Sequence, residues 1–424
     1  MYWLVEDESQ LNVLINSSYK KAFIEVIPFS NAIHPAQSHV SLVYIRPIKA
    51  TKGFMVCIAH SESLNALNTG IDKLLEKFET LYCRDKKEIL HYYPNLFKAL
   101  YDINPPPTTY IRPTTQTHEL YYRQHGDNPE LNLIIPIVKH YEVCETIWGD
   151  LKANINKEKT KYDEFYNNKV SLVFNSIERS GIRIHNETFE EYFHPVNGEY
   201  VFTQFNLKTT TTRPSNKFKN VNYAALNKEN GCRKSFIPSN DVLYEVDISA
   251  YHPSLSCRLI NYNFPTSDIH THFSKLYKVD YNKAKELTFK QLYGGVFKQY
   301  EHLEFFNKIS IYVKELWEEF EREGKITCPV SNFVYKKENL GEMNPQKLFN
   351  YLLQNLETSM NVRILWDICS MLVGKKTKLV LYTYDSFLFD LSEEDEMIKK
   401  EIDVIFKKYK LNTKTKEGYD YDFK

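Results

Sequence analysis

Short apolar runs separated by polar turns make up the first part of the chain. Four runs have the length and composition of strands, and a later segment has helical spacing. The predicted strands cover residues 2–5, 22–27, 40–45 and 53–58, and the helix covers residues 71–81. A proline-rich segment at 104–113 then indicates a linker. This order predicts a compact α/β unit.

The spacing becomes helical in the middle of the chain and β-rich after Tyr200. Apolar side chains recur at helical intervals in residues 134–145 and 151–178. The most informative of the later strand-like runs are 241–247 and 378–390, and two helical blocks separate such runs. With 424 residues and no internal repeat, the chain is long enough for two or three domains.

Composition narrows the class of protein. The apolar runs fall short of the roughly 20 residues that span a bilayer, and the first residues lack a signal-sequence pattern. We therefore expect an intracellular chain without a membrane partner. The seven cysteines include no Cys-x-x-Cys pair, and an odd number suits neither a disulfide framework nor a zinc site. We expect them to be small buried side chains.

The charge is balanced overall but uneven locally. The chain has 54 basic and 54 acidic residues, which gives no general attraction to a polyanion. Residues 205–240, however, contain seven Lys or Arg and a single acid, Glu229. Only eleven of the basic residues are Arg, which favours point charges toward a backbone over bidentate base contacts. This basic strip predicts a local phosphate-binding surface.

Two aspartates end or interrupt apolar strands. Asp247 is the last residue of the run 241–247, and Asp385 lies in the polar tip of a predicted hairpin over 378–391. Carboxylates on neighbouring strand ends are able to hold two Mg²⁺ ions about 3.5–4 Å apart, which supports phosphoryl transfer. Each aspartate is also a common turn residue. The residues alone leave both interpretations open.

Two helical blocks carry functional side chains every four residues. The first is predicted over 281–293, with Asp280 as its N-cap, and presents Lys285, Phe289 and Tyr293 in one row. Such a row suits a triphosphate at one end and a base at the other, although aromatic rows more often belong to a core. The second block presents the amides of Gln346, Asn350 and Gln354. They form either a solvated face or donors for a duplex minor groove.

Six separated segments occur in one order. They are Thr211-Thr-Arg-Pro-Ser-Asn-Lys-Phe-Lys-Asn-Val-Asn222, Arg233-Lys-Ser-Phe-Ile237, Asp247-Ile-Ser-Ala-Tyr-His-Pro-Ser254, Asp268-Ile-His-Thr271 with the helix that ends at Gly294, Phe349-Asn-Tyr-Leu-Leu-Gln354 and Tyr384-Asp-Ser386. In this order they resemble the motifs of family A DNA polymerases, the DNA polymerase I type of bacteria and phages. The resemblance covers residues 200–424. It implies a right-hand polymerase fold of palm, fingers and thumb.

The resemblance implies a role for each matching residue. Asp247 and Asp385 would bind two Mg²⁺ ions, with Mn²⁺ as an alternative, and the Ile248 carbonyl would be a further ligand. The implied nucleotide-binding residues are His252, His270, Lys285, Phe289 and Tyr293. The implied DNA-binding residues are Arg213, Asn220, Arg233, Asn350 and Gln354. The implied reaction is template-directed addition of dNTPs to a primer 3′-hydroxyl.

Several positions depart from the family pattern. His252 stands where the family carries a glutamate that excludes ribose, and Gln346 stands in place of an arginine. Tyr281 stands where the fingers carry another arginine, for which Lys283 or another basic residue is a candidate replacement. Ser386 replaces an accessory carboxylate. These departures put sugar selection in question and predict a slower or less discriminating enzyme.

The first half of the chain resembles a 3′–5′ proofreading exonuclease of the RNase H-like class. The segments 22–27 and 83–89 stand where that domain carries its carboxylate ligands, of which Glu25 and Glu88 are the remaining candidates. Two-metal hydrolysis needs several converging carboxylates. We therefore expect a structural domain without nuclease activity, in which Glu25 is a charge at the edge of the sheet.

The resemblance also implies domain boundaries. The expected α+β and α/β domains are an exonuclease-like unit at 1–127, connecting helices and a reduced thumb at 128–204, palm segments at 205–260 and 341–424, and fingers at 261–340. The thumb is expected to be reduced because about fifteen residues separate Ile184 from Tyr200, where the family has long helices. Fewer backbone contacts predict weak, salt-sensitive DNA binding and low processivity without a partner.

Three functions are compatible with these residues. The favoured one is a monomeric DNA polymerase of replication or repair in the cytoplasm of a bacterium or a phage-infected cell, with primer-template DNA, dNTPs and a processivity or replisome factor as partners. The second is an RNA polymerase or a reverse-transcriptase-like enzyme, because the gate glutamate is absent. The third is a non-catalytic DNA-binding relative of a polymerase. The joint presence of Asp247, Asp385, Lys285 and Tyr293 argues against the third, since binding alone does not need all four.

Overall fold

A computed structural model describes residues 3–63, 71–107, 116–125, 128–217 and 220–424. Tyr2 of the first predicted strand, part of the proline-rich segment and Lys219 of the basic strip lie outside these residues. The chain divides into two compact units, Met1–Arg179 and Ser180–Lys424. No helix among the described residues is both long and apolar enough to cross a membrane.

A six-stranded mixed sheet forms the centre of the first unit. Its strands are β1 (Trp3–Val5), β2 (Lys21–Pro28), β3 (Val40–Pro47), β4 (Phe54–Cys57), β5 (Thr80–Cys83) and β6 (Leu100–Asp102). They lie in the order β1-β4-β3-β2-β5-β6. The consecutive strands β2, β3 and β4 are antiparallel, whereas β5 runs parallel to β2 and β6 runs parallel to β5. The four strands predicted in this region are confirmed.

Helices cover both faces of this sheet. The helices of this part of the chain are α1 (Glu8–Ile15), α2 (Ile71–Glu76), α3 (Lys86–Tyr92), α4 (Gln116–His125), α5 (Leu131–Ile134), α6 (Ile137–Leu151), α7 (Lys161–Phe165) and α8 (Ser171–Ser180). Ala22 and Ile24 of β2 pack with α1, α2 and α3, whereas Phe23 between them packs with α6 on the opposite face. Because successive strand residues alternate in direction, burial on both faces makes the strands apolar throughout.

Two predictions in the first unit differ from the structure. The helix predicted over 71–81 is wrong in its second half, since α2 ends at Glu76 and residues 80–83 form the inner strand β5. A short apolar run that is buried on both faces has no periodicity to separate strand from helix. The helix predicted over 134–145 begins at Ile137, because Pro136 has an extended backbone with ψ 137°.

Helix α6 packs on the first sheet, although it follows the expected linker. Its Cys144, Ile147 and Trp148 lie in the same core as Phe23, and the rings of Phe23 and Trp148 are 5.5 Å apart. The compact units therefore divide at 179/180, whereas the expected boundary lay at 127/128. The assignment of residues 128–204 to connecting helices and a thumb stays a prediction.

An antiparallel four-stranded sheet forms the centre of the second unit. The strands of this unit are β7 (Ile182–Ile184), β8 (Tyr200–Val201), β9 (Phe205–Asn206), β10 (Ser215–Asn216), β11 (Phe236–Ile237), β12 (Val242–Ile248), β13 (Lys325–Thr327), β14 (Val334–Lys336), β15 (Lys378–Thr383), β16 (Ser386–Leu391) and β17 (Thr413–Gly418). The central sheet has the order β15-β16-β12-β17, with β17 at its edge. A three-stranded sheet, β11-β7-β8, and two hairpin-like ribbons accompany it.

Seven helices accompany these strands in the described part of the second unit. They are α9 (Asn186–Glu190), α10 (Tyr251–Leu259), α11 (Ile269–Tyr277), α12 (Tyr281–Gly294), α13 (Glu304–Glu323), α14 (Pro345–Met371) and α15 (Ile398–Lys408). The predicted strand at 241–247, the hairpin over 378–391 and the helix over 281–293 are confirmed. The interval between β7 and β8 holds the five-residue helix α9.

All seven cysteines are free thiols, as expected. Five are buried, whereas Cys257 and Cys369 are partly exposed. Burial raises the pKa of Cys257 to about 12, so this thiol is unreactive at neutral pH.

Candidate active site

Strand β12 and the β15–β16 hairpin bring the two predicted aspartates together. In the register of β12 and β16, Asp247 lies opposite Ser386, the residue that follows Asp385. The Ile248 N–H donates to the carbonyl oxygen of Asp385 at 2.7 Å, which fixes the strand end against the hairpin turn. Both aspartates line one cavity.

The turn that carries Asp385 is held by contacts from two other segments. Tyr384 has φ +66°, a left-handed backbone that residues with a side chain rarely adopt. Its carbonyl accepts a hydrogen bond from Nδ2 of Asn361 at 2.7 Å, and the guanidinium carbon of Arg213 lies 3.7 Å from its ring centre. These contacts stabilise the strained turn. Arg213 therefore has a structural contact in addition to its implied role in DNA binding.

The two carboxyl groups ionise less readily than ordinary aspartates. Burial raises the pKa of Asp247 to about 6, and the charge of Asp385 adds to this effect. Burial also raises the pKa of Asp385. Because a cation beside both carboxylates would relieve desolvation and repulsion, the electrostatics of the pair fit a divalent ion.

The donor set is typical of Mg²⁺. Within the described residues, no group of three or more His, Cys, Asp or Glu is placed to hold a metal ion. The available donors are Asp247, Asp385 and, by prediction, the carbonyl of Ile248, which also lines the cavity. Mg²⁺ is commonly held by one or two carboxylates, with water and substrate phosphates completing its shell.

The cavity has a volume of about 530 Å³. Its lining includes every residue predicted to bind metal or nucleotide, namely Asp247, Ile248, His252, His270, Lys285, Phe289, Tyr293 and Asp385. Arg213 and Arg233 line it as well. The fold thus brings together residues from β12, α10, α11, α12 and the β15–β16 turn.

Among the described residues, three that were predicted to bind DNA do not line the cavity. The amide of Asn220 bonds the backbone N–H and the carbonyl of His194, which ties two loops together. Asn350 donates to the carbonyl oxygen of Tyr293 at 3.0 Å. Gln354 lies one turn further along α14 and is partly exposed. Their role in DNA binding stays a prediction.

Helix α12 presents the predicted row of one ammonium and two rings. Asp280 caps the helix by accepting from the N–H of Lys283 at 3.0 Å. The rings of Phe289 and Tyr293 are stacked, with centres 5.7 Å apart and planes 14° apart. Lys285 lies one turn before Phe289 and lines the cavity. Charge and stacking surface therefore lie on one face of α12, as the four-residue spacing predicts.

His270 reaches the same face from α11. Its ring centre is 5.8 Å from that of Phe289. Burial lowers the pKa of His270 to about 4, and the charge of Lys285 lowers it further. The imidazole is therefore neutral at pH 7 in the free protein. It offers a hydrogen bond to a phosphate, and the charge in this region comes from the lysines.

Glu357 is a site residue that no motif indicated. It is buried on α14, and its Oε2 lies 3.2 Å from Nε2 of His252 and 3.1 Å from Nε of Arg213. Nδ1 of His252 is 2.6 Å from the hydroxyl of Tyr293. Both ring nitrogens of His252 are thus held, one by a hydroxyl and one by a carboxylate.

Three lysines also line the cavity without having been predicted there. Lys414 and Lys416 come from the edge strand β17, and Lys228 comes from the basic strip. Lysines at alternate positions of a strand face one side, so the Lys414-Thr415-Lys416 spacing was the available signal. Strand β17 has no apolar alternation, because most of it is exposed.

The first unit contains a separate set of buried charges. Arg84 contacts Glu25 at 3.2 Å and Glu88 at 3.2 Å. Lys87 contacts Glu178 at 2.7 Å, and Nε2 of His91 lies 2.7 Å from the same carboxylate. The expectation that Glu25 is a charge at the sheet edge is wrong. β2 lies between β3 and β5, and Glu25 is buried.

Backbone hydrogen bonds occupy the other carboxylates of this region. Asp85 is the N-cap of α3 and accepts from the N–H of Glu88 at 3.1 Å. Asp102 accepts from the N–H of Asn104 at 2.7 Å. Burial raises the pKa of Glu25 to about 7 in spite of Arg84. These groups therefore have partners within the protein, which suits a structural role.

Comparisons with known proteins show which solved structure the fold resembles. No protein-family model and no curated protein matches the sequence. The fold is similar to that of the POL domain of Pol1 from M. smegmatis, solved in complex with DNA primer-template and dNTP. The TM-score is 0.67, and the match covers 99% of each chain at 10% sequence identity. The chain therefore has the fold of a DNA polymerase I POL domain.

Proposed function

We propose that this protein is a template-directed DNA polymerase of the DNA polymerase I type, which adds dNTPs to a primer 3′-hydroxyl. The observation that carries the proposal is the meeting of Asp247, Asp385 and Lys285 in one cavity of a polymerase-like fold. A phage or a bacterium, in replication or repair, is the proposed setting. The family assignment is supported by the order of the six motifs.

The residues of the cavity have different proposed roles in nucleotidyl transfer. Asp247 and Asp385 would hold two Mg²⁺ ions, whose charge would lower the pKa of the primer 3′-hydroxyl and stabilise the negative charge on the pyrophosphate leaving group. Lys285 attracts the triphosphate, and neutral His270 donates a hydrogen bond to it. The stacked rings of Phe289 and Tyr293 form a surface for the nucleotide.

Sugar selection is proposed to depend on His252 and its partners. The Tyr293 hydroxyl and the Glu357 carboxylate fix the imidazole from two sides. An immobilised ring is able to exclude a 2′-hydroxyl by its size, whereas a mobile one would move aside. This arrangement favours a DNA polymerase over the alternative with relaxed sugar selection.

Primer extension by the full chain with Mg²⁺ and either dNTPs or NTPs tests the proposal. The expected result is extension with dNTPs that Asp247→Ala and Asp385→Ala abolish. Asp150→Ala, which removes an exposed aspartate of α6, is the matched control and is expected to retain activity. Equal use of NTPs would favour an RNA polymerase or a reverse-transcriptase-like enzyme. No extension by the unmutated chain would favour a non-catalytic DNA-binding protein.

We also propose that the first unit is an RNase H-like domain without nuclease activity. Three consecutive antiparallel strands followed by two parallel strands support this class of fold. Arg84 and Lys87 place cationic side chains against the carboxylates Glu25, Glu88 and Glu178, where an active nuclease would need metal ions.

A 3′-labelled DNA strand incubated with the full chain and Mg²⁺ tests the second proposal. The expected result is no excision of the label. Excision that persists in Asp247→Ala but disappears in Glu25→Gln would overturn it, because the activity would then originate in the first unit.

A further inference from the structure

The edge strand β17 delivers two lysines to the cavity. In its antiparallel pairing with β12, Lys414 lies opposite Asp247 and Lys416 lies opposite Glu245. Residues two apart on a strand point to the same face, and both lysines line the cavity. Lys414 is exposed, so its ammonium is accessible to a ligand.

Lys414 lies near the start of α12. Its Nζ is 5.7 Å from the ring centre of Tyr281, the first residue of that helix. The charges of both Lys285 and Lys414 lower the pKa of His270, although burial is the larger cause. Two cations on different elements therefore act on one imidazole, which locates them at the same end of the cavity.

Among the residues that the structure describes, neither Lys285 nor Lys414 forms an ion pair. Lys283, by contrast, is bound to Glu286 at 2.9 Å and is absent from the described lining of the cavity. Carboxylates lie nearby, since the charge of Asp268 acts on the same imidazole and Asp247 lies opposite Lys414, but none contacts either ammonium group at ion-pair distance in the described chain. Both ammonium groups are therefore available to a bound anion.

We propose that Lys414 binds the triphosphate of the incoming nucleotide together with Lys285. This inference rests on the proposed polymerase function. It assigns the second phosphate-binding cation, beside Lys285, to Lys414 at the sheet edge, whereas Lys283 was the candidate named from the sequence. The triphosphate would lie between α12 and β17. Lys414 thereby supplies charge at the helix start, where Tyr281 has none.

Binding of inorganic tripolyphosphate to the full chain, measured by calorimetry without divalent metal, tests the proposal directly. Lys414→Ala is expected to raise the Kd about 10–100-fold, as loss of a charge-assisted contact does. Lys414→Arg is expected to restore binding to within about threefold, since the charge is retained. Lys399→Ala is the matched control, because Lys399 contacts Glu417 of the same strand and does not line the described cavity.

Steady-state primer extension adds a second measurement. Lys414→Ala is expected to raise the KM for dNTPs by a similar factor, with a smaller change in kcat. If tripolyphosphate binding and KM stay within about twofold of the wild type, or if Lys283→Ala weakens binding while Lys414→Ala does not, the proposal is overturned. Weaker tripolyphosphate binding by Lys414→Ala in a chain that extends no primer would support the phosphate site and reject the polymerase function.

Discussion

Asp247→Asn removes one charge from the aspartate pair and preserves the shape of the side chain. Burial and the charge of Asp385 raise the pKa of Asp247 from 3.8 to about 6, so the ionised carboxylate destabilises the folded chain at neutral pH. Each unit of pKa corresponds to about 1.4 kcal/mol. Solvent screening at this partly exposed group reduces the penalty to about 1–2 kcal/mol. We expect the Asn variant to be more stable than the wild type by that amount at pH 8.

The pH dependence of this difference follows from linkage. A carboxyl group whose pKa is raised by folding contributes stability while it is protonated, and this contribution is lost as the pH rises through the folded-state pKa. The wild type should therefore lose stability relative to Asp247→Asn between about pH 4 and pH 6, in line with the two pKa values. Above that range the difference should remain constant.

Urea denaturation and hydrogen exchange of peptides from β12 and β16 would measure the effect. Asp395→Asn is the matched control, because hydrogen bonds from Thr377, whose N–H donates to the carboxylate at 2.7 Å, lower the pKa of Asp395 instead of raising it. We expect that variant to be less stable than the wild type. Mg²⁺ should stabilise the wild type more than Asp247→Asn. Lower stability of Asp247→Asn at pH 8 without divalent ions would refute the reasoning.

Three further predictions concern other parts of the chain. Lys87→Met should lower the free energy of unfolding of the first unit by about 3–5 kcal/mol in urea denaturation, because it leaves the buried Glu178 carboxylate without the Lys87 ammonium group. A decrease below about 1 kcal/mol would contradict this prediction. Burial opposes ionisation of Glu178, but Lys87 and His91 outweigh it and lower its pKa to about 2, so this contribution should vanish as the pH falls toward 2. Glu357→Gln should lower the preference for dNTP over NTP, measured as a ratio of kcat/KM values, by about 2–10-fold, since His252 loses a charged partner. An unchanged ratio would show that Glu357 has no role in sugar selection. Single-hit primer extension by the chain alone should give short products that salt shortens further, and long products would contradict the expected weak hold on DNA.

Local chemistry was sufficient to predict the elements that carry the aspartates and Lys285. The run before Asp247 is apolar because β12 is an inner strand, and Asp280 caps α12 as its residue type favours. The short strand β5 was misread, since burial on both faces removes the alternation that distinguishes a strand. Glu25 was predicted to be a charge at the sheet edge because no nearby residue in the sequence indicates a partner. Its partner Arg84 is distant in sequence and is brought to it by the fold.

The unpredicted site residues depend on contacts between distant segments. Glu357 lies in the middle of the 27-residue helix α14, and its contact with His252 spans 105 positions. No local pattern marks such a residue as part of a site. Lys414 was missed for a different reason, since β17 has a neighbour on one side only and its polar residues resemble a loop.

The central sheet of the second unit also has a consequence for folding. Ser386 donates to Glu245 across 141 positions, and the Tyr421 hydroxyl donates to the same carboxylate across 176 positions. Loops of this length close slowly, because their entropy is lost before the contacts form. The aspartate pair and the lysines of β17 should thus come together late in folding, after the local helices. A nascent or partly refolded chain would contain much of its helical structure while the cavity is still unformed.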